Sequence, residues 1–171
     1  MPVLNASPLI YLSKIQKLEL LNLLFEDVQI PIEVKKEVVD KGKALGYTDA
    51  YMVEKALSTQ KIRLHTLGEN DIESSRKLAE KYNIDEGEAQ VIKLALKKGD
   101  KIVIMDDARA RKIARLFGLE PIGILKIILK AVEMRYLTDS EAIDLLDKLI
   151  DKGFHISIGL YKEFLKRIRK N

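Results

Sequence analysis

Cysteine and tryptophan are absent from the 171 residues, and histidine occurs only at His65 and His155. Without cysteine there are no disulfides, thiolate zinc sites, iron–sulfur clusters or cysteine nucleophiles. Two histidines also exclude a histidine-rich metal site, so any metal has to be held by oxygen ligands, which favours hard cations. Proline (4) and glycine (9) are scarce, and no Pro/Gly/Ser-rich linker, repeat or low-complexity stretch interrupts the chain. Long hydrophobic runs are lacking too. The stretch from Ile122 to Leu129 is broken by Gly123 and Lys126 and is too short to span a bilayer. The start, Met1-Pro2-Val3-Leu4-Asn5, has neither the basic region nor the apolar run of a secretory leader. The expectation is a cytoplasmic protein with no membrane association.

Hydrophobic residues make up 47% of the chain and charged residues 33%, enough to bury a core and too apolar for disorder. The net charge of +4 is unevenly placed. The last twelve residues hold Lys162, Lys166, Arg167, Arg169 and Lys170 against Glu163, while the remainder balances at 25 charges of each sign. Such a tail suits a phosphate-binding footprint, and equally a terminal helix whose cations complement its dipole. Abundant Lys and Glu are compatible with a thermophilic source.

Short branched apolar runs alternate with amphipathic helical patterns, the mark of an α/β fold. Strands are expected at Pro2–Leu4, Val28–Pro31, Lys61–Leu67, Lys101–Met105 and about Glu120–Ile122. Lys101–Met105 is continuously apolar beyond its first residue, as a buried parallel strand should be. Ser7-Pro8 reads as an N-cap followed by proline in the first turn. Helices are expected over residues 9–24 (one or two), through Val34 and Val38, near 49–58, then 70–82, 86–98, 108–117, 123–136, 139–152 and 158–170. A helix between successive strands predicts a mainly parallel sheet covered on both faces. The run Leu20, Leu21, Leu23 and Leu24 covers more than one helical stripe and predicts a partner surface, a second copy being the simplest partner.

In an open parallel sheet the working crevice lies beyond the carboxyl ends of the strands. Asn5 follows the first expected strand, and Asp106-Asp107 follow the fourth. Glu37 and Glu88 lie early in helices and could join them. Clustered carboxylates repel one another, and a divalent cation used for phosphodiester cleavage offsets that repulsion. Each residue also has a plain structural role. Asp85 and Glu88 fit a capping pair, Asp106 or Asp107 a helix cap, Glu37 a solvated helix charge, and Asn5 a turn. Arg109, Arg111 and Lys112 are placed to meet a phosphate, or to form salt-bridged helix surface.

The order of these segments resembles the PIN-domain family. The matching stretches are Val3-Leu4-Asn5-Ala6-Ser7-Pro8-Leu9-Ile10, Ile30 to Glu37, Gly87-Glu88-Ala89 to Ala95, and Ile102 to Asp107. A prokaryotic PIN subgroup is closer still. Its Asn-x-Ser-Pro-Leu-Ile start, Asp106-Asp107-Ala108-Arg109-Ala110-Arg111 and Gly153-Phe154-His155-Ile156-Ser157 extend the match over nearly the whole chain. The resemblance implies a three-layer α/β/α sandwich over residues 1–135, with a helical extension over 136–171 packed on the same domain. It implies an Mg²⁺- or Mn²⁺-dependent nuclease, usually a ribonuclease, related to VapC-like toxins that a cognate antitoxin neutralises and often homodimeric. The four acidic positions fall on Asn5, Glu37, Glu88 and Asp107, with Asp106 as neighbour or substitute, and Ser7 supports the first by hydrogen bonding. Asn5 is the departure, since the family usually has aspartate there. An amide oxygen ligates without charge, so the alternative is a nucleic-acid-binding protein of the same fold with weakened or lost catalysis. A phosphoacceptor receiver domain fits poorly, because the acidic pair follows the fourth strand rather than the first. An interaction module, one half of a toxin–antitoxin pair, is the third reading.

Overall fold

The structure, a computed structural model, describes residues 1–169; Lys170, part of the expected basic helix, and Asn171 lie outside the described residues. Five short parallel strands form one sheet: β1 (Val3–Leu4), β2 (Gln29–Pro31), β3 (Arg63–His65), β4 (Ile102–Ile104) and β5 (Glu120–Ile122), in the order β3-β2-β1-β4-β5. β1 and β4 run through the middle because they are apolar and inaccessible: Val3, Leu4, Val103 and Ile104 are all fully buried. β3 lies at an edge and is shorter than the sequence pattern suggests, since Arg63 and Leu64 face solvent.

The chain steps from β1 to β2 to β3, then crosses back to β4 and on to β5. Right-handed crossovers therefore put α6 (Glu69–Tyr82), α7 (Glu86–Lys98) and α8 (Ala108–Leu116) on one face. On the other lie α1 (Ala6–Lys14), α2 (Glu19–Phe25), α5 (Thr48–Ser58) and α9 (Ile124–Glu133). α7 is the central helix of its layer and packs across β1, β2 and β4. This is a three-layer α/β/α sandwich with an all-parallel sheet. α10 (Asp139–Asp151) and α11 (Ile158–Ile168) pack against α9, and their Leu145, Leu146, Leu149, Phe164 and Ile168 join the same buried core.

Three local expectations change. α1 starts at Ala6 with Asn5 as N-cap, so Ser7 lies inside the first turn and Pro8 needs no partner there, its missing N–H being an orphan position anyway. The helix after β2 is not one regular α-helix. α3 (Ile32–Lys35) widens into a π-helical segment (Lys36–Lys41) before the short α4 (Gly42–Ala44). The leucine-rich surface of α2 is absorbed internally: Leu20 and Leu21 are buried, Leu24 and Phe25 pack on the core, and α2 lies against α9. Only Leu23 of that group stays open, at 46% exposure, which removes the surplus apolar face as an argument for self-association.

Candidate active site

β1 and β4 are neighbours, with Leu4 opposite Ile104, so their carboxyl ends share one crevice. Asn5 leaves β1 with its backbone N–H still donating to the Ile104 carbonyl at 2.9 Å, which fixes its side chain at the end of the sheet, buried. α7 begins alongside. Its capping box pairs Asp85 with Glu88, and the Asp85 N–H donates to Glu88 Oε2 at 3.1 Å. The second oxygen, Oε1, is left to the crevice, where the Asn5 amide Nδ2 donates to it at 3.4 Å. Glu88 is thus both cap and crevice residue.

Glu37 arrives from the π-helical segment, and such segments often mark functional sites. A Cβ on Gly87 would stand 3.6 Å from Glu37 Oε2 and 3.8 Å from Asn5 Oδ1. The bare first turn of α7 is therefore the floor over which Glu37 and Asn5 converge. Asp107 follows β4 as the N-cap of α8, its Oδ1 accepting the Ala110 N–H at 2.8 Å. It lines a pocket of about 400 Å³ with Asp85, Glu88 and Arg109. A groove of about 680 Å³, lined by Glu37, Lys14, Lys41 and Tyr47, adjoins it at Asp85.

Burial is the main cause that pushes the Glu88 carboxyl up to about 7; the negative charges of Asp107, Asp85 and Glu37 add to the rise, and only the Asp85 N–H opposes it. Glu37 is also raised, by the protein packed around its carboxylate, with Lys41 lowering it and Asp85 and Glu33 raising it. At neutral pH Glu88 is therefore poised between its two protonation states, as a proton acceptor or donor needs to be.

As the side chains stand, no three His, Asp or Glu groups among the described residues close on one point as metal ligands. The donor chemistry nevertheless suits a hard divalent cation. Asn5, Glu37, Glu88 and Asp107 offer only oxygen ligands, and the mutual repulsion felt by Glu88 is what a cation would relieve.

Two predicted site residues stand apart. Asp106 does not join the acid cluster: its Oδ1 accepts the Ile124 N–H at 2.9 Å, across a gap of 18 residues, and it lines a different cavity with Arg111. Burial is the chief reason its carboxyl rises to about 6, with the Ile124 N–H and Arg111 pulling it down. Ser7 makes no side-chain hydrogen bond among the described residues, so it does not brace Asn5 as expected. Of the basic residues, Arg109 stands at the acid pocket and donates from Nη1 to the Asn83 carbonyl at 2.9 Å, Arg111 turns to the Asp106 cavity, and Lys112 is exposed. Sequence reasoning missed Asp85 as a member of the charge cluster. Its spacing of three from Glu88 signalled the cap and hid the second role.

A family model described as a PIN domain matches residues 1–170. The chain belongs to the PIN-domain family. A PIN domain is a nuclease-type fold whose members generally bind nucleic acid. No curated protein gives a significant match. No described helix is long and apolar enough to cross a membrane.

Proposed function

We propose that this PIN domain is a divalent-metal-dependent nuclease that cleaves RNA, using Mg²⁺ or Mn²⁺. The observation that carries this reading is Glu88, a buried carboxylate whose pKa is raised among Asp107, Asp85 and Glu37 with no basic partner among the described residues. Asn5, Glu37, Glu88 and Asp107 would hold the cation. A bound ion supplies positive charge against the phosphodiester and makes water more acidic. A crevice carboxylate would take the proton of the attacking water, while the charge of the ion would hold Glu88 ionised as a ligand. Arg109, which lines the same pocket, would meet a phosphate oxygen. Such a nuclease would act as the toxin of a toxin–antitoxin pair in the cytoplasm, with the partner protein covering the crevice and a homodimer as the assembled form.

The decisive experiment incubates labelled single-stranded RNA with the protein and Mn²⁺, with and without chelator, for the wild type and Glu88→Gln. Cleavage that needs Mn²⁺ and falls about 100-fold or more in Glu88→Gln is the expected result. A second reading, a nucleic-acid binder with weak or lost catalysis, is favoured by one contact. The Asn5 amide donates to Glu88, so a neutral donor occupies the position where a fourth carboxylate would add charge. RNA retention without metal-dependent cleavage selects that reading.

A further inference from the structure

A second cavity, of about 450 Å³, opens on the other side of the β4 carboxyl end, within the size range of small-ligand pockets. Its inner wall is Asp106, Arg111 and Gly123, its apolar walls include Leu129, Phe154 and Phe164, and exposed Lys126, Leu160 and Arg167 form its rim. Gly123 is required there. A Cβ at this position would come within 2.6 Å of Asp106 Oδ1 and 3.5 Å of Arg111 Nη1, so any side chain would displace the carboxylate that caps α9.

The polar end of this cavity is incompletely used. Asp106 Oδ1 accepts the Ile124 N–H, but Asp106 Oδ2 and Arg111 Nε, both buried, have no hydrogen-bond partner among the described residues. The two groups do not pair with each other within salt-bridge distance, although Arg111 is close enough to lower the Asp106 carboxyl. One unpartnered acceptor and one unpartnered donor, both buried, therefore belong to the wall of a cavity whose apolar side contains two phenylalanines. Arg167 at the rim is occupied by Glu163 at 2.7 Å, which leaves Lys126 as the open rim cation among the described residues.

We propose that this cavity receives a nucleobase, with Asp106 Oδ2 accepting from a ring or exocyclic N–H and Arg111 Nε donating to the neighbouring carbonyl or ring nitrogen. Guanine sets N1–H beside O6 and has the larger, purine ring, so it is the base expected to bind best. Unstacked bases are held by aromatic and apolar walls in this manner, and edge hydrogen bonds choose among them. The inference rests on the nuclease reading for the source of the base, a nucleotide of the substrate strand. Asp106 and Asp107 are consecutive, with Cα atoms about 3.8 Å apart, and they line the two pockets separately. A strand with a phosphate at Asp107 and Glu88 would thus have an adjoining base within reach of Asp106.

The test is titration of the chelator-treated full chain with guanosine, adenosine, cytidine and uridine monophosphates, ribose 5-phosphate and inorganic phosphate, followed by calorimetry or NMR shifts. Nucleotides should bind at millimolar concentration or tighter, guanosine monophosphate best and ribose 5-phosphate at least tenfold weaker. Arg111→Met and, independently, Leu160→Trp, which fills the mouth from an exposed rim position, should each weaken nucleotide binding about tenfold or more in folded protein. Absence of nucleotide binding, ribose 5-phosphate binding as tightly as the nucleotides, or binding untouched by both variants overturns the proposal. The two readings separate cleanly. Nucleotide binding abolished by both variants, in a protein that never cuts RNA, supports the base pocket and removes the nuclease. Metal-dependent cleavage without nucleotide binding does the reverse.

Discussion

Glu88 and Asp106 are two shielded carboxylates at the same end of one sheet, both raised chiefly by burial, yet their surroundings have opposite sign. Asp106 has a backbone N–H and a nearby guanidinium to offset its charge. Glu88 has a backbone N–H and an amide, and every charge acting on it is negative. The first is a partly compensated carboxylate that ties α9 to β4 through one oxygen. The second is stored repulsion, the condition under which a cation or proton is gained from outside.

The comparison is broken most forcefully through activity. Glu88→Gln should reduce Mn²⁺-dependent RNA cleavage about 100-fold or more, whereas Lys112→Ala, on the exposed face of α8, should change it less than about threefold, both read from initial rates on labelled RNA. Equal losses would remove the distinction between the crevice and the rest of the surface.

Next in size is stability. Arg111→Met leaves Asp106 without its nearby cation and should destabilise by about 1–3 kcal/mol in urea unfolding at pH 8. Glu88→Gln relieves repulsion and should stabilise the metal-free protein by about 1 kcal/mol, after discounting the pKa rise for solvent screening. The same sign for both variants would contradict the contrast.

The pH dependence follows from the raised carboxyls. Folded Glu88 keeps its proton up to about pH 7 while the unfolded chain releases it near 4.5, so between those values the folded state binds more protons and stability falls as pH rises. Asp106 acts in the same direction between its ordinary 3.8 and about 6. Melting temperature in chelator should therefore decline from pH 5 to pH 7.5, and Glu88→Gln should flatten the part of the decline above pH 6. A rise across that window would show that Glu88 is not held neutral.

The smallest expected effect is at Asn5. Asn5→Asp removes the donor to Glu88 and adds a charge 3.4 Å away. The metal-free variant should melt a few degrees lower, by about 1 kcal/mol, and gain more from added Mn²⁺ than the wild type does. Melting curves of both proteins with and without Mn²⁺ measure this.

Much of the scaffold was readable from residue order. Lys101–Met105 announced a buried strand because its apolar run has no polar alternation, and Asp85 with Glu88 announced the capping box that opens α7. Asn5, Glu37, Glu88 and Asp107 could be nominated because their order along the chain resembles that of the acidic positions of the PIN-domain family. The π-helical segment that carries Glu37 was not readable, since one extra residue in a turn leaves the apolar spacing almost unchanged. The burial of α2 was also hidden: excess leucine tells that a surface is needed, not whether α9 or another molecule supplies it.

The sequence by itself determined which segments become strands and helices, because periodicity of 2 or 3.6 is a local property, and it determined that any metal site must be built from oxygen. Only the tertiary structure decided what each carboxylate does. Asp106 and Asp107 are adjacent and chemically identical, yet one reaches the Ile124 N–H 18 residues away and the other caps its own helix. That choice is made by where β5 and α9 return beside β4, a long-range packing outcome that no spacing within the pair encodes.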